Sequence, residues 1–149
     1  MKERVKNREV VNMSDEKKRV IDKGRDGDEV VVGKHVYANL YGVPKEIAGD
    51  EEYLVETVKK AAEIANMTLY DIKSYRFGGK KGGISVLALV IESHIALHTW
   101  IEYDYATIDI YTCGARSDPW KAFNYIIERL RPEDYTVNYA DRTQLKKTK

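Results

Sequence analysis

The sequence predicts an α+β fold, a two-layer sandwich in which helices pack on one face of a mainly antiparallel sheet. Two amphipathic helical segments stand far apart in the chain, and several short segments of strand character lie between them. The connections among these strands are too short for parallel crossovers. The predicted order is therefore strand, helix, three or four strands, helix, strand. A chain of 149 residues suits one such domain with a substantial core.

The first 33 residues are expected to form a charged, flexible or partly helical N-terminal arm, because few apolar residues interrupt them. An RNA-binding arm is the alternative, although the presence of charges of both signs favours a solvated extension. The folded domain is therefore expected over residues 34–149.

The first half of that domain reads as a strand, a helix and a second strand. Residues 33–41 alternate and are rich in aromatic side chains, as strands are. Asp50 is a suitable N-cap for a helix over residues 51–66. A second strand is predicted over residues 68–77. One apolar face of the helix should lie on the sheet, formed by Leu54, Val58, Ala61, Ala62 and Ala65.

A glycine-rich segment, residues 78–83, separates the second strand from a third over residues 84–91. It could be taken for a phosphate-binding loop, but it lacks the Walker spacing and does not open a helix. We therefore predict a hairpin turn that tolerates positive φ, with a substrate-covering loop as the alternative.

Two more strands are predicted over residues 94–102 and 106–113. Ser117 or Asp118 should then cap a second helix, with Pro119 at its first position and Pro132 after its end. A last short strand is predicted over residues 135–139, followed by a basic tail over 146–149. The apolar face of the second helix should consist of Phe123, Ile126, Ile127 and Leu130.

Overall composition restricts the possible partners and location. The chain has 25 Lys and Arg against 24 Asp and Glu, a balance that favours neither nucleic acid nor an acidic membrane as a partner. No apolar run is long enough for a membrane span, and the charged N-terminus predicts no secretory signal. The single cysteine cannot form an internal disulfide, so we expect a reduced, cytoplasmic protein.

Serine, histidine and cysteine crowd into the middle of the chain, where Ser93, His94, His98 and Cys113 lie within about twenty residues. These residue types can supply a nucleophile, a base and a proton donor. Purely structural roles are equally compatible with the pattern. A zinc site of His94, His98 and Cys113 lacks a fourth ligand, and a Ser-His hydrolase would lack its Gly-x-Ser-x-Gly elbow.

The motifs Glu-Ser-His at 92–94, His-Thr-Trp at 98–100 and Thr-Cys-Gly at 112–114 resemble the small prokaryotic S-adenosylmethionine decarboxylase family. The similarity covers about residues 34–130. Members are pyruvoyl-dependent enzymes made as self-cleaving proenzymes. The resemblance implies cleavage between Glu92 and Ser93, which would give a β chain of residues 1–92 and an α chain of residues 93–149.

The resemblance also implies a role for each reactive residue. The Ser93 hydroxyl would convert the Glu92–Ser93 peptide to an ester, and β-elimination would leave a pyruvoyl group at residue 93. This group forms a Schiff base with the substrate amine and accepts electrons as CO2 leaves, so neither pyridoxal phosphate nor a metal is expected. His98 is implied as the proton acceptor in processing with assistance from Ser85, and Cys113 as the proton donor in catalysis.

Strand geometry makes it difficult for one protomer to assemble these groups. Ser85 and Ser93 would lie about 26 Å apart on a straight strand, and His98 has the opposite parity from Ser93. The family forms homodimers whose sites take Ser93 and Cys113 from one chain and Ser85 and His98 from the other. We therefore expect a homodimer of cleaved protomers. Two residues are further implied as substrate contacts that reach across, Phe77 and Glu102.

Substrate identity is suggested by departures from the common family pattern. Asn39 stands where members specific for adenosylmethionine carry a glutamate, and the longer loop at 78–83 resembles the crenarchaeal branch. That branch includes arginine decarboxylases, so we expect conversion of L-arginine to agmatine and CO2 in polyamine biosynthesis. A guanidinium needs a carboxylate partner, for which Asp141 and Glu102 are candidates.

Two alternatives to arginine decarboxylation stay open. The first is S-adenosylmethionine decarboxylation, which would give S-adenosylmethioninamine, the aminopropyl donor for spermidine. The second is a small nucleic-acid-binding α+β module, which would have an uncleaved chain and salt-sensitive binding.

Overall fold

The computed structural model of the chain describes residues 2–4, 15, 19 and 30–145. The strands are β1 (Lys2–Arg4), β2 (Gly33–Tyr41), β3 (Leu69–Phe77), β4 (Gly83–Val90), β5 (Ser93–Trp100), β6 (Tyr105–Cys113) and β7 (Asp134–Asp141). The helices are α1 (Lys45–Ala48), α2 (Glu51–Ile64) and α3 (Pro119–Leu130), with a 3-10 turn at Ile101–Tyr103.

The strands form one sheet in the order β1-β3-β4-β5-β6-β2-β7, and every neighbouring pair is antiparallel. Helices α2 and α3 contact each other and one face of this sheet, which confirms the predicted α+β sandwich. Among the described residues, no helix is long and apolar enough to cross a membrane.

Two short elements extend the predicted order. Strand β1 lies in the segment expected to be an arm, and it pairs with the outer edge of β3. Helix α1 follows Pro44, where only a turn was expected. Most of the predicted arm and the basic tail at 146–149 lie outside the described residues.

The caps of α2 and α3 follow from the acidic residues that precede these two helices. Asp50 accepts a hydrogen bond from the Tyr53 N–H at 3.1 Å, and Asp118 accepts one from the Trp120 N–H at 3.0 Å. Asp118 is therefore the cap of α3, whereas Ser117 is buried and bonds the Thr112 hydroxyl at 2.5 Å. The predicted apolar residues of both helices are buried, except for Ile127, which is half-buried.

Residues 78–82 make the predicted hairpin turn between β3 and β4, and Gly83 is already the first residue of β4. The Gly82 N–H donates to the Gly79 carbonyl at 2.9 Å, and Gly79 has a φ of +88° that favours glycine. A Cβ at Gly82 would lie 2.5 Å from the Phe77 carbonyl oxygen, so a side chain there would force the turn apart.

Side chains on β4, β5 and β6 alternate between the helix-covered face and the opposite face, which we call the open face. Ile95, Leu97, Ile108 and Ile110 point into the core beneath the helices. Their neighbours along the strands point to the open face, which no helix of the described residues covers. The open face carries Ser85, Leu87, Leu89, His94, His98, Asp109, Tyr111 and Cys113.

Thr99 ties the two layers together, so its removal should destabilise the fold. Its buried hydroxyl donates to the Ala48 carbonyl at 2.6 Å and accepts from the Ile84 N–H at 2.9 Å. We expect Thr99→Val to lower the free energy of unfolding by about 1–3 kcal/mol, because valine leaves both backbone groups buried and unpaired. Denaturant unfolding in an uncleaved Ser93→Ala background measures this loss.

The matched control for this substitution is Thr136→Val on β7, where the threonine is exposed. Its effect on the free energy of unfolding should stay within about 0.5 kcal/mol. Equal losses for the two variants would show that the Thr99 hydrogen bonds do not stabilise the layers.

Candidate active site

The turn between β4 and β5 ends in a strained residue. Ser93, the first residue of β5, has a φ of +149°, a value that residues other than glycine rarely adopt. Such a conformation costs on the order of 1–3 kcal/mol and persists only where the surrounding structure imposes it. The strain lies directly after the Glu92–Ser93 peptide bond.

Hydrogen bonds hold Glu92 on the other side of that bond. Its carbonyl oxygen accepts from the Cys113 N–H at 2.7 Å, and its carboxylate accepts from the Thr68 N–H at 2.9 and 3.3 Å. The Ile91 N–H also donates to the Thr68 carbonyl at 3.0 Å. A donor aimed at this carbonyl oxygen would stabilise the negative charge that develops if a nucleophile attacks the carbonyl carbon.

Cys113 belongs to the same end of the sheet as Ser93. Ser93 pairs with Thr112 across the β5–β6 ladder, and Cys113 is the half-buried last residue of β6. We call the group formed by Glu92, Ser93 and Cys113 the cleavage end. These three residues share one end of the β5–β6 pair, where the Cys113 backbone N–H bonds the Glu92 carbonyl.

Ser85 and His98 meet at a second place on the open face. They are direct partners across the β4–β5 ladder, and the Ser85 hydroxyl lies 2.7 Å from Nδ1 of His98. Burial lowers the pKa of His98 below its ordinary value, although the charge of Asp109 acts in the opposite direction. The lowered pKa favours the neutral imidazole of His98, which is the form that can accept a proton. We call Ser85 and His98 the base end.

The two ends are separated by the length of β5. Five residue steps from Ser93 to His98 correspond to about 16 Å along a strand. The separation of about 26 Å between Ser85 and Ser93 applied to a straight strand. The chain instead reverses at 91–92 and returns Ser85 to a position opposite His98. Of the four residues expected to react, the structure brings the side chains of Ser85 and His98 into contact, and it places Ser93 and Cys113 at the other end of β5.

Phe77 and Glu102 line a common open cleft of about 410 Å³ beside the glycine turn. Phe77 pairs with Gly83, two residues before Ser85, so the cleft adjoins the base end. Asp141, the other candidate for a guanidinium partner, does not line this cleft. Its carboxylate accepts from the Thr143 N–H at 2.9 Å, and bonding to Thr143 lowers the pKa of Asp141.

The zinc alternative does not fit these positions. His94 bonds Asp109, whereas His98 bonds Ser85 at the other end of β5. Within the described residues, no group of three or more His, Cys, Asp or Glu side chains is arranged to hold a metal ion.

Asp109 is a feature of the open face that the sequence did not single out. Its carboxylate oxygens lie 2.6 Å from Nε2 of His35 and 2.8 Å from Nε2 of His94. Burial would raise the pKa of Asp109, but the hydrogen bonds from the two histidines outweigh burial and lower it. Strand alternation placed Asp109 on a face, but its partners come from two other strands and depend on register.

Comparison with known proteins identifies the class to which this fold and site belong. The sequence profile of the S-adenosylmethionine decarboxylase family matches residues 34–143. The chain therefore belongs to that family and is a decarboxylase. This membership favours the enzyme over the nucleic-acid-binding alternative.

Similar individual proteins include both arginine decarboxylase proenzymes and an adenosylmethionine decarboxylase. The chain is 60% identical to the arginine decarboxylase proenzyme of Hyperthermus butylicus over 119 residues, which cover 80% of this chain and 84% of that protein. It is 59% identical to the arginine decarboxylase proenzyme of Aeropyrum pernix, covering 80% and 90% of the two chains. The crystal structure of the Aquifex aeolicus adenosylmethionine decarboxylase is similar with a TM-score of 0.71 at 33% identity, covering 80% of this chain and 97% of that one.

The lowered pKa of His98 predicts the pH dependence of self-cleavage. If the neutral imidazole accepts the proton, cleavage slows only as the pH falls through the pKa of His98, below the ordinary value of 6.5. We therefore expect the midpoint of the rate profile to lie below pH 6.5. Freshly translated chain, sampled over time between about pH 4 and 8, gives the profile. A midpoint at or above 6.5 would contradict a base with a lowered pKa.

Proposed function

We propose that this chain is a self-processing pyruvoyl-dependent arginine decarboxylase, which converts L-arginine to agmatine and CO2. The observation that carries the proposal is the geometry of the Glu92–Ser93 peptide. Ser93 is strained, and the Glu92 carbonyl accepts a hydrogen bond from the Cys113 N–H. This arrangement would favour rearrangement of that bond. The high identity to arginine decarboxylase proenzymes supports arginine as the substrate.

The chemistry of cleavage can be assigned to the cleavage end. The Ser93 hydroxyl attacks the Glu92 carbonyl carbon, the C–N bond breaks, and an ester with a free Ser93 amine forms. Loss of the Ser93 α-proton then breaks the Cβ–O bond and releases Glu92 as a carboxylate. Addition of water and loss of ammonia from the remaining enamine leave a pyruvoyl group at residue 93. Relief of backbone strain and the Cys113 N–H would both favour the first step.

A base is needed for this sequence, and His98, the expected proton acceptor, lies about 16 Å away along β5 at the base end. The nearer histidine, His94, is already hydrogen-bonded to Asp109. We propose that a second protomer supplies the base. When two open faces pack about a two-fold axis near the middle of β5, the cleavage end of one chain lies against the base end of its partner. Leu87 and Leu89 support this packing, since they are 52% and 51% exposed on the open face.

The processed site would then use residues of both chains. A pyruvoyl group supplies an electrophilic carbonyl that takes up the substrate amine and accepts the electron pair as CO2 leaves. The Cys113 thiol of the same chain would return a proton to the carbon that loses CO2. Phe77 and Glu102 of the partner's cleft would contact the side chain, with the Glu102 carboxylate paired to the guanidinium.

Adenosylmethionine is the second candidate substrate, because the structurally similar Aquifex protein is described as an adenosylmethionine decarboxylase. Either reaction would serve polyamine synthesis. The reaction centre is the same for both, so the difference between them lies in the contacts to the substrate side chain. Asn39 is neutral in this chain, and its side-chain oxygen accepts from the Tyr105 hydroxyl at 3.1 Å.

A cytoplasmic location would keep the Cys113 thiol reduced.

Intact mass under denaturing conditions tests the chemistry of cleavage. We expect two chains that match residues 1–92 and 93–149, the second with a pyruvoyl end, and a single chain for Ser93→Ala. Release of labelled CO2 from arginine, with little from adenosylmethionine, would support arginine. The reverse preference would assign the enzyme to adenosylmethionine, and cleavage of Ser93→Ala at the same bond would refute self-processing.

Co-expression of two inactive variants tests whether the site is shared between chains. Ser93→Ala retains the base end, and His98→Ala retains the cleavage end. In a shared site the His98→Ala chain should be cleaved when it is expressed with the Ser93→Ala chain, because its partner supplies His98. Different affinity tags identify the cleaved chain on a denaturing gel. Equal resistance to cleavage alone and together would show that His98 acts within its own chain.

A further inference from the structure

Three strands are joined by side chains at Asp109, midway between the two ends of β5. Asp109 on β6 offers one carboxylate oxygen to His35 on β2 and the other to His94 on β5, at 2.6 and 2.8 Å. Both contacts are short enough for charge-assisted hydrogen bonds. We call His35, Asp109 and His94 the His-Asp-His bridge.

The bridge lies close to the cleavage end along β5 and along β6. His94 directly follows Ser93 along β5. Tyr111 lies two residues before Cys113 on β6, and its ring is 5.7 Å from that of His35 and 5.9 Å from that of His94. The Asp109 carboxylate and the Tyr111 ring together hold the two imidazoles in fixed positions on the open face.

We propose that Asp109 is a positioning residue that holds the start of β5 in place after the Glu92–Ser93 bond is broken. This inference rests on the proposed function. Before cleavage, residue 93 is fixed by covalent bonds on both sides. Afterwards it is a chain terminus, and termini lose order unless other contacts hold them. The residue that follows this new terminus is His94, and Asp109 is its hydrogen-bonding partner.

Accurate placement matters because the carbonyl at residue 93 must meet the substrate amine. A displacement of about 1 Å at a reacting centre can cost about 100-fold in rate. His35 contributes indirectly, since it bonds the second oxygen of Asp109 and limits rotation of the carboxylate. Loss of the bridge should therefore lower kcat more than it raises KM.

Asp109 also acts electrostatically on the base end. Its negative charge raises the pKa of His98, against the larger effect of burial, which lowers it. Removal of this charge should therefore lower the pKa of His98 further. A loss of packing alone would not produce that shift. The titratable and charged groups that surround Asp109 are His35 and Tyr37 from β2, His94 and His98 from β5, and Tyr111 with Arg142 above its ring.

The test compares Asp109→Asn with Asp109→Glu in the full chain. For Asp109→Asn we expect cleavage to persist, kcat of the cleaved enzyme to fall about 10- to 100-fold, and KM to change less than about threefold. The pH profile of cleavage should move to lower pH, because the charge that raises the pKa of His98 is gone. Asp109→Glu keeps the charge, so it should restore the pH profile and part of kcat.

Asp104→Asn is the matched control. It makes the same chemical change at a half-exposed carboxylate that pairs with Lys45 at 2.6 Å. Its φ of +50° is one that asparagine tolerates well. We expect wild-type kcat and a wild-type pH profile for this variant.

Several outcomes would overturn the inference. One is a kcat for Asp109→Asn within twofold of the wild-type value. Another is a fall in kcat for Asp104→Asn that equals the fall for Asp109→Asn. If Asp109→Asn does not fold, His35→Phe removes one donor of the bridge and keeps a ring, and an unchanged kcat in that variant refutes the role. Failure of the proposed function is distinguishable, because the wild-type chain itself would then remain uncleaved or release no CO2.

Discussion

The register of β5 between β4 and β6 is the constraint on which the rest of the site depends. It pairs Ser85 with His98 at one end of the strand and Ser93 with Thr112 at the other. The Cys113 N–H continues the second ladder past Ser93 and reaches the Glu92 carbonyl. A slip by one residue would turn the open-face side chains into the core, so burial of the other face fixes this register strongly.

The strain at Ser93 is possible because both sides of the residue are held. Upstream, Glu92 is fastened through its carboxylate and its carbonyl. Downstream, His94 is bonded to Asp109. A cost of about 1–3 kcal/mol is smaller than the roughly 5–15 kcal/mol by which domains are stable, so a well-packed sheet can sustain it. The domain can therefore hold Ser93 in a strained conformation and remain folded.

The uncovered face of the sheet connects the fold to the proposed assembly. Helices α2 and α3 bury one face, and the opposite face carries the Ser85–His98 pair, Cys113, a histidine-bound carboxylate and exposed leucines. In a single protomer, five residue steps of β5 keep the proposed cleavage residue Ser93 and the proposed base His98 about 16 Å apart. A two-fold arrangement is the simplest geometry that unites unlike ends of identical strands, because each end then meets its complement in the partner.

The sequence by itself determined the element types, the caps and the core, because these depend on local periodicity and on side chains a few residues apart. Asp50 and Asp118 cap their helices, and Leu54 and Phe123 are buried as their spacing predicts. The motifs around Ser93 also identified the family without any knowledge of contacts. The short β1 and α1 were missed, since three or four residues carry too little periodic signal.

Only the tertiary structure decided which reactive groups touch. Ser85 and His98 are 13 residues apart in the chain, His94 and Asp109 are 15 apart, and His35 and Asp109 are 74 apart. Strand alternation could place each residue on a face, but the turn at 91–92 and the ladder register set their partners. The sequence therefore supplied the chemistry of the site. The pairing of strands supplied its geometry, because hydrogen bonds between distant segments have no local signature.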